Sequence, residues 1–71
     1  MNIELNLSKI FLKRKENSYT LNDVSASTGI NVKRLSKIEK TNDIYLSDLL
    51  KLADFYDVDE KELYTYKIEK R

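Results

Sequence analysis

The chain has 71 residues, 35% of them charged, a net charge of +1, and neither cysteine nor histidine. A single domain over residues 1–71 is expected, small enough to bury only about 60% of the surface its unfolded chain exposes. Without thiols or imidazoles there is no disulfide, thiolate metal site or histidine base, so catalytic, metal and cofactor groups are all expected to be none. No apolar run approaches the roughly 20 residues of a membrane span and no signal peptide is visible, which points to a cytoplasmic setting without membrane contact.

The chain opens on Asn2-Ile3-Glu4-Leu5-Asn6, an alternation of polar and apolar residues. Leu7, Ile10, Phe11 and Arg14 then follow helical spacing and predict a first helix over 7–16, capped by Asn6. Asn17 and Ser18 end it. Thr20 with Asp23 three residues on is a capping box with aspartate in place of glutamate, and it starts a second helix at Leu21. Leu21, Val24 and Ser25 line its inner face, and Gly29, the only glycine, ends it in the left-handed C′ conformation. Asn31 is a good N-cap for a third helix from Val32 to about Lys40, with Leu35 and Ile38 inward. Thr41, Asn42 and Asp43 make a polar break. Leu46, Leu49, Leu50, Ala53 and Phe55 or Tyr56 predict a fourth helix over 46–56. Asp59 and Glu62 form a second capping box, predicting a short fifth helix over Glu60–Tyr64. Tyr64-Thr65-Tyr66-Lys67-Ile68-Glu69 is rich in β-formers, so the two termini are expected to pair as a small antiparallel ribbon, with a longer last helix as the alternative.

Charge is uneven along the chain. Residues 1–42 hold eight Lys or Arg against four Asp or Glu, or +4, and residues 43–71 hold five against eight, or −3. The third helix carries Lys33, Arg34, Lys37 and Lys40. A lone basic helix is more simply a solvated face. Here it follows a tight turn and a supporting helix over about residues 20–40, a helix-turn-helix that fits a major groove about 12 Å wide. Near the start of that helix, Asn31, Val32, Lys33, Arg34, Ser36 and Lys37 would point deepest. Lysine can donate to guanine O6 and N7, serine can donate or accept, and valine can pack on a thymine methyl.

The residues that carry these signals resemble the helix-turn-helix domain of the lambda-repressor and Cro type, the XRE family. They are Arg14, Thr20 to Val24, Gly29-Ile30-Asn31, Leu35 to Lys40, Leu49 to Ala53, Val58 and Leu63, in register without a gap over about residues 7–63. The resemblance implies an all-α, five-helix lambda-repressor-like bundle that binds double-stranded DNA. It points to Val32, Lys33 and Lys37 for base contacts, with Ser36 as a further candidate. Arg34, Lys40, Thr41 and Asn42, with Asn31, are expected at the DNA backbone, and the start of helix two around Thr20 and Leu21 can present backbone N–H groups to another phosphate. The resemblance also implies an ion pair between Arg14 and Glu39. The chain departs from the family pattern at Leu21 where glutamine is frequent, at Ser25 where alanine is usual, at Thr41 where glycine is common, and at Ile44 where proline precedes helix four. The Ser25 hydroxyl then needs a partner, most simply the carbonyl one turn earlier. Asn42 is expected to take the left-handed conformation in place of a glycine.

Five tyrosines and two phenylalanines are many for this length. Phe11, Tyr19 and Phe55 are expected in the core. Phe55, Tyr56, Tyr64 and Tyr66 are candidates for a homodimer interface in the C-terminal half, with packing within one chain as the equal alternative. The reading is a transcriptional regulator, most simply a repressor that binds an inverted-repeat operator as a dimer. The alternative is an antitoxin or other protein-binding regulator on the same fold, its acidic half holding the partner. An enzyme is not expected, since the acids fall on helix exteriors or in caps and turns.

Overall fold

A computed structural model describes residues 2–69. The elements are β1 (Asn2–Asn6), α1 (Ser8–Glu16), α2 (Leu21–Thr28), α3 (Val32–Thr41), α4 (Leu46–Tyr56), a 3-10 turn (Glu60–Glu62) and β2 (Thr65–Glu69). The starts of α2 and α3 are set by side chains that supply missing hydrogen bonds, and the ends of α2, α3 and α4 by residues in the left-handed conformation. At the start of α2, the Asp23 N–H donates to the Thr20 hydroxyl at 3.1 Å and the Thr20 N–H donates to the Asp23 carboxylate at 2.9 Å. At the start of α3, Asn31 Oδ1 accepts from the Arg34 N–H at 2.7 Å. Gly29 closes α2 at φ 78°, and a Cβ placed there meets no atom within 4 Å, so its role is conformational and not steric.

Among the described residues four α-helices form, not five helices. The Asp59–Glu62 box is made, yet it launches only the Glu60–Glu62 turn. Leu63 must plunge into the core directly afterwards, and the β-formers from Thr65 onward are drawn into the ribbon. The ribbon pairs the termini antiparallel, with Ile3 opposite Ile68 and Leu5 opposite Tyr66. A two-stranded ribbon is marginal alone. This one is tied down by half-buried Leu5 and by fully buried Leu7, whose N–H donates to Asn42 Oδ1 at 2.8 Å. The first helix starts one residue later than its spacing predicts. Leu7 holds the cap position without a side-chain bond, and Asn6 ends β1 while its side chain accepts from the Ser8 N–H at 2.9 Å.

The core is Leu7, Ile10, Val24, Ile30, Leu35, Ile38, Leu49, Leu52, Ala53 and Leu63. Phe11 is not in it. It is 39% exposed, with the Arg14 guanidinium and the Lys15 ammonium 5.4 and 5.5 Å from its ring centroid, a cation–π seat on the surface. Tyr19 is also exposed and caps an aromatic cluster, its ring 5.2 Å from that of half-buried Phe55 and 6.3 Å from that of Tyr56. On α4 the inward face is Asp48, Leu49, Leu52 and Ala53; Leu46 and Leu50 face solvent at 68% and 48% exposure. Among the described residues, the hydroxyls bonded to a carbonyl four residues earlier are those of Thr28 and Thr41, and Ser25 is not one of them.

With a single glycine in the chain, three other left-handed positions fall to Ser18, Asn42 and Asp57, each at φ 57°. Asparagine and aspartate tolerate that conformation better than serine does. Ser18→Gly is therefore expected to stabilise the protein by about 0.5–1 kcal/mol. Asn42→Gly is expected to destabilise it, because the bond to the Leu7 N–H is lost with the side chain. Urea midpoints of the two variants check both signs.

Candidate nucleic-acid interface

An α-helix that reads DNA must leave one face bare and be held entirely from behind. The apolar side chains Leu35 and Ile38 bury the back of α3. Opposite them, Lys33, Ser36, Lys37 and Lys40 recur at helical spacing as one stripe; the three lysines are exposed and Ser36 is half-buried. Among the described residues none of these lysines has a carboxylate partner. Val32 is exposed at the first position of the helix, where it borders an open groove shared with Thr20, Leu21 and Asn22 at the start of α2 and with Arg14 and Lys15. The Thr20–Asp23 box occupies two donors there. Among the described residues the Leu21 and Asn22 N–H groups have no partner, so the α2 N-terminus keeps two donors facing that groove. The Asp23 carboxylate stands beside them and opposes an approaching phosphate.

Two ion pairs fix α3 to the rest of the chain. Arg14 of α1 donates through Nε to Glu39 Oε2 at 2.8 Å and through Nη2 to Glu39 Oε1 at 2.9 Å, a two-pronged pair with both side chains nearly buried. Its Nη1 donates to the Tyr19 carbonyl at 3.0 Å, so one guanidinium binds α1, the α1–α2 loop and the end of α3. The bond to Glu39 raises the Arg14 pKa, with desolvation acting against it. Tyr56 packs near the same pair, and burial first, then the Glu39 charge, pushes its hydroxyl up to about 12.

Asp48 is the second anchor, and sequence patterning alone passed it over. It is 1% exposed, and its Oδ1 accepts from Arg34 Nη2 at 3.0 Å. Arg34 Nε lies 2.9 Å from Asp48 Oδ2, a charge contact whose alignment falls short of a hydrogen bond. The signal was present: Asp48 shares a helical face with Leu52, four residues on, and an acid on an apolar stripe calls for a buried cation. Of the residues expected at DNA, the structure thus brings Val32, Lys33, Ser36, Lys37 and Lys40 to one exposed side of α3. Asn31 spends its side chain on the cap. Thr41 bonds the Lys37 carbonyl at 2.7 Å, and Asn42 holds its left-handed turn while bonding Leu7. Among the described residues no cluster of three metal-ligating side chains occurs, and no helix is long and apolar enough to cross a membrane.

The family model of the Cro/C1-type HTH DNA-binding domain matches residues 6–69. No curated protein and no solved structure matches the chain. The match spans nearly the whole sequence, and the chain belongs to this family of DNA-binding helix-turn-helix domains.

Breaking a buried pair by removing one partner leaves an uncompensated charge. Glu39→Ala is expected to cost about 3 kcal/mol, enough to lower the melting midpoint by more than about 10 °C in a domain of this size. An unchanged midpoint would show that the fork carries no weight. Tyr56 supplies a pH test. The unfolded chain releases this proton near pH 10.0 and the folded chain holds it to about 12, so its contribution to stability is whole below pH 10 and is lost as the pH climbs to about 12. Denaturation midpoints measured across that range should fall, and Tyr56→Phe should remove this part of the fall.

Proposed function

We propose that this Cro/C1-type domain is a sequence-specific transcriptional repressor that acts by covering a promoter. The observation that supports the reading is the Lys33–Ser36–Lys37–Lys40 stripe on a helix held from behind. In this reading Val32, Lys33, Ser36 and Lys37 meet base edges in the major groove. Lys40 and Arg34 meet phosphates beside α3, together with Asn31, Thr41 and Asn42, and the start of α2 at Thr20 and Leu21 meets another through the Leu21 and Asn22 N–H groups.

A single helix-turn-helix addresses a short half-site, and a two-fold dimer addresses two half-sites about 34 Å apart. We place the partner copy on the C-terminal half, over Leu46, Leu50 and Tyr66, which are exposed beside a groove lined by Leu5, Leu49 and Tyr64. Tyr64 and Tyr66 stay in this interface from the aromatic set named by the sequence, their rings 6.4 Å apart. Phe55 and Tyr56 leave it, since they are half-buried against Tyr19. The operator is then an inverted repeat.

Selection of random duplexes at graded salt, followed by sequencing of the retained pool, tests the reading. A symmetric motif is expected. Lys33→Ala and Lys37→Ala should each relax preference at their own base positions by about 1–3 kcal/mol. Lys40→Ala should weaken all sequences alike and flatten the salt slope by about one. Binding to every duplex without a motif would overturn the sequence-specific reading and favour a protein-binding regulator such as an antitoxin.

A further inference from the structure

Arg34 is the cation of α3 that differs from its neighbours. Lys33, Lys37 and Lys40 make no ion pair among the described residues, whereas Arg34 is paired with the buried Asp48 of α4. The pair has one aligned bond, Nη2 to Oδ1, while Nε and Oδ2 are buried 2.9 Å apart in a charge contact that falls short of hydrogen-bond alignment. What the pair achieves is orientation. The Nε–Nη2 edge of the guanidinium is anchored on Asp48, and the Tyr45 ring covers one face with its centroid 6.0 Å from Cζ. Nε is buried, so the 42% exposure that the side chain retains lies on its other atoms, and Arg34 and Lys37 line one groove at the flank of α3.

We propose that Asp48 is a positioning residue for DNA binding: it turns Arg34 from a mobile charge into a fixed, charge-neutralised hydrogen-bond donor to a phosphate oxygen at the flank of α3. The inference rests on the reading of α3 as the DNA-facing helix and adds what makes one of its cations unlike the others. A free arginine at a phosphate releases a counterion and steepens the salt dependence of binding. An arginine already paired with a carboxylate carries little net charge. It contributes through the direction of its remaining N–H groups, and a planar fork is suited to that role in a way a lysine is not.

Three proteins separate these contributions: the unaltered chain, Asp48→Asn, and the double variant Arg34→Gln/Asp48→Asn, in which no charge is left unpaired. Each is titrated with the same selected duplex over a range of salt. The expected slope of log affinity against log salt is the same for the unaltered chain and the double variant, and steeper by about 0.9 for Asp48→Asn, where Arg34 is freed. At high salt the unaltered chain should bind about tenfold tighter than the double variant, through the oriented bond. Arg34→Lys, which keeps the charge pair and so remains usable if Asp48→Asn fails to fold, should keep the slope and lose the tenfold.

Equal slopes for the unaltered chain and Asp48→Asn would overturn the inference, and so would equal high-salt affinity for the unaltered chain and the double variant. Retention of the tenfold by Arg34→Lys would also overturn it. Absence of binding by the unaltered chain to any duplex would overturn the DNA-facing reading of α3 itself, and this inference with it.

Discussion

The two-pronged Arg14–Glu39 pair is the constraint on which the rest of the arrangement depends. A helix that offers one whole face to a ligand has lost half of its possible packing, and this chain is too short to compensate with a large core. Arg14 resolves that conflict at one point. Its guanidinium takes both oxygens of Glu39 and the Tyr19 carbonyl, so α1, the loop before α2 and the last turns of α3 are set by one planar group. The aromatic cluster of Tyr19, Phe55 and Tyr56 adjoins the pair through Tyr56, whose hydroxyl feels the Glu39 and Arg14 charges. Depth and polarity reinforce each other here: burial strengthens the bonds, and the bonds make the burial of charge tolerable.

The other end of α3 is held by a different kind of contact. Asp48 reaches the Arg34 side chain from the first turn of α4, while the Asn31 cap accepts from the Arg34 backbone N–H. One anchor therefore lies near each end of α3, with Leu35 and Ile38 between them in the core. The anchored groups occupy the back and flank of α3, and the lysines, which have no ion-pair partner among the described residues, occupy the front. This division of labour lets a protein with a net charge of +1 present a locally basic surface.

Much of this was legible in the sequence because it is local. The Thr20–Asp23 box, the Asn31 cap, Gly29 and left-handed Asn42 are each decided within a few residues; α2 and α3 begin where the two caps put them, and α4 spans the residues that its apolar spacing predicts. The antiparallel terminal ribbon was also legible, from alternation and β-formers at both ends. What patterning could not rank was depth. Phe11, Leu46 and Leu50 obey helical spacing, but whether a neighbour covers them depends on how elements cross, and in the fold they stay exposed. The fifth helix failed for a similar reason, since a good cap was outweighed by Leu63 and by the strand that follows. Asp48 was missed because an acid in the first turn of a helix has an ordinary explanation in the helix dipole. Only its register with Leu52 marked it as inward.

The central claim is that α3, supported from behind at both ends, is the surface that meets DNA. Amide chemical-shift mapping during titration with a selected duplex tests it most directly. The account predicts that the largest changes fall on Leu21, Asn22 and Val32 to Lys40, with the β1–β2 ribbon and the outer face of α4 little affected. Changes concentrated instead on Leu46, Leu50 and Tyr66, with α3 silent, would contradict it.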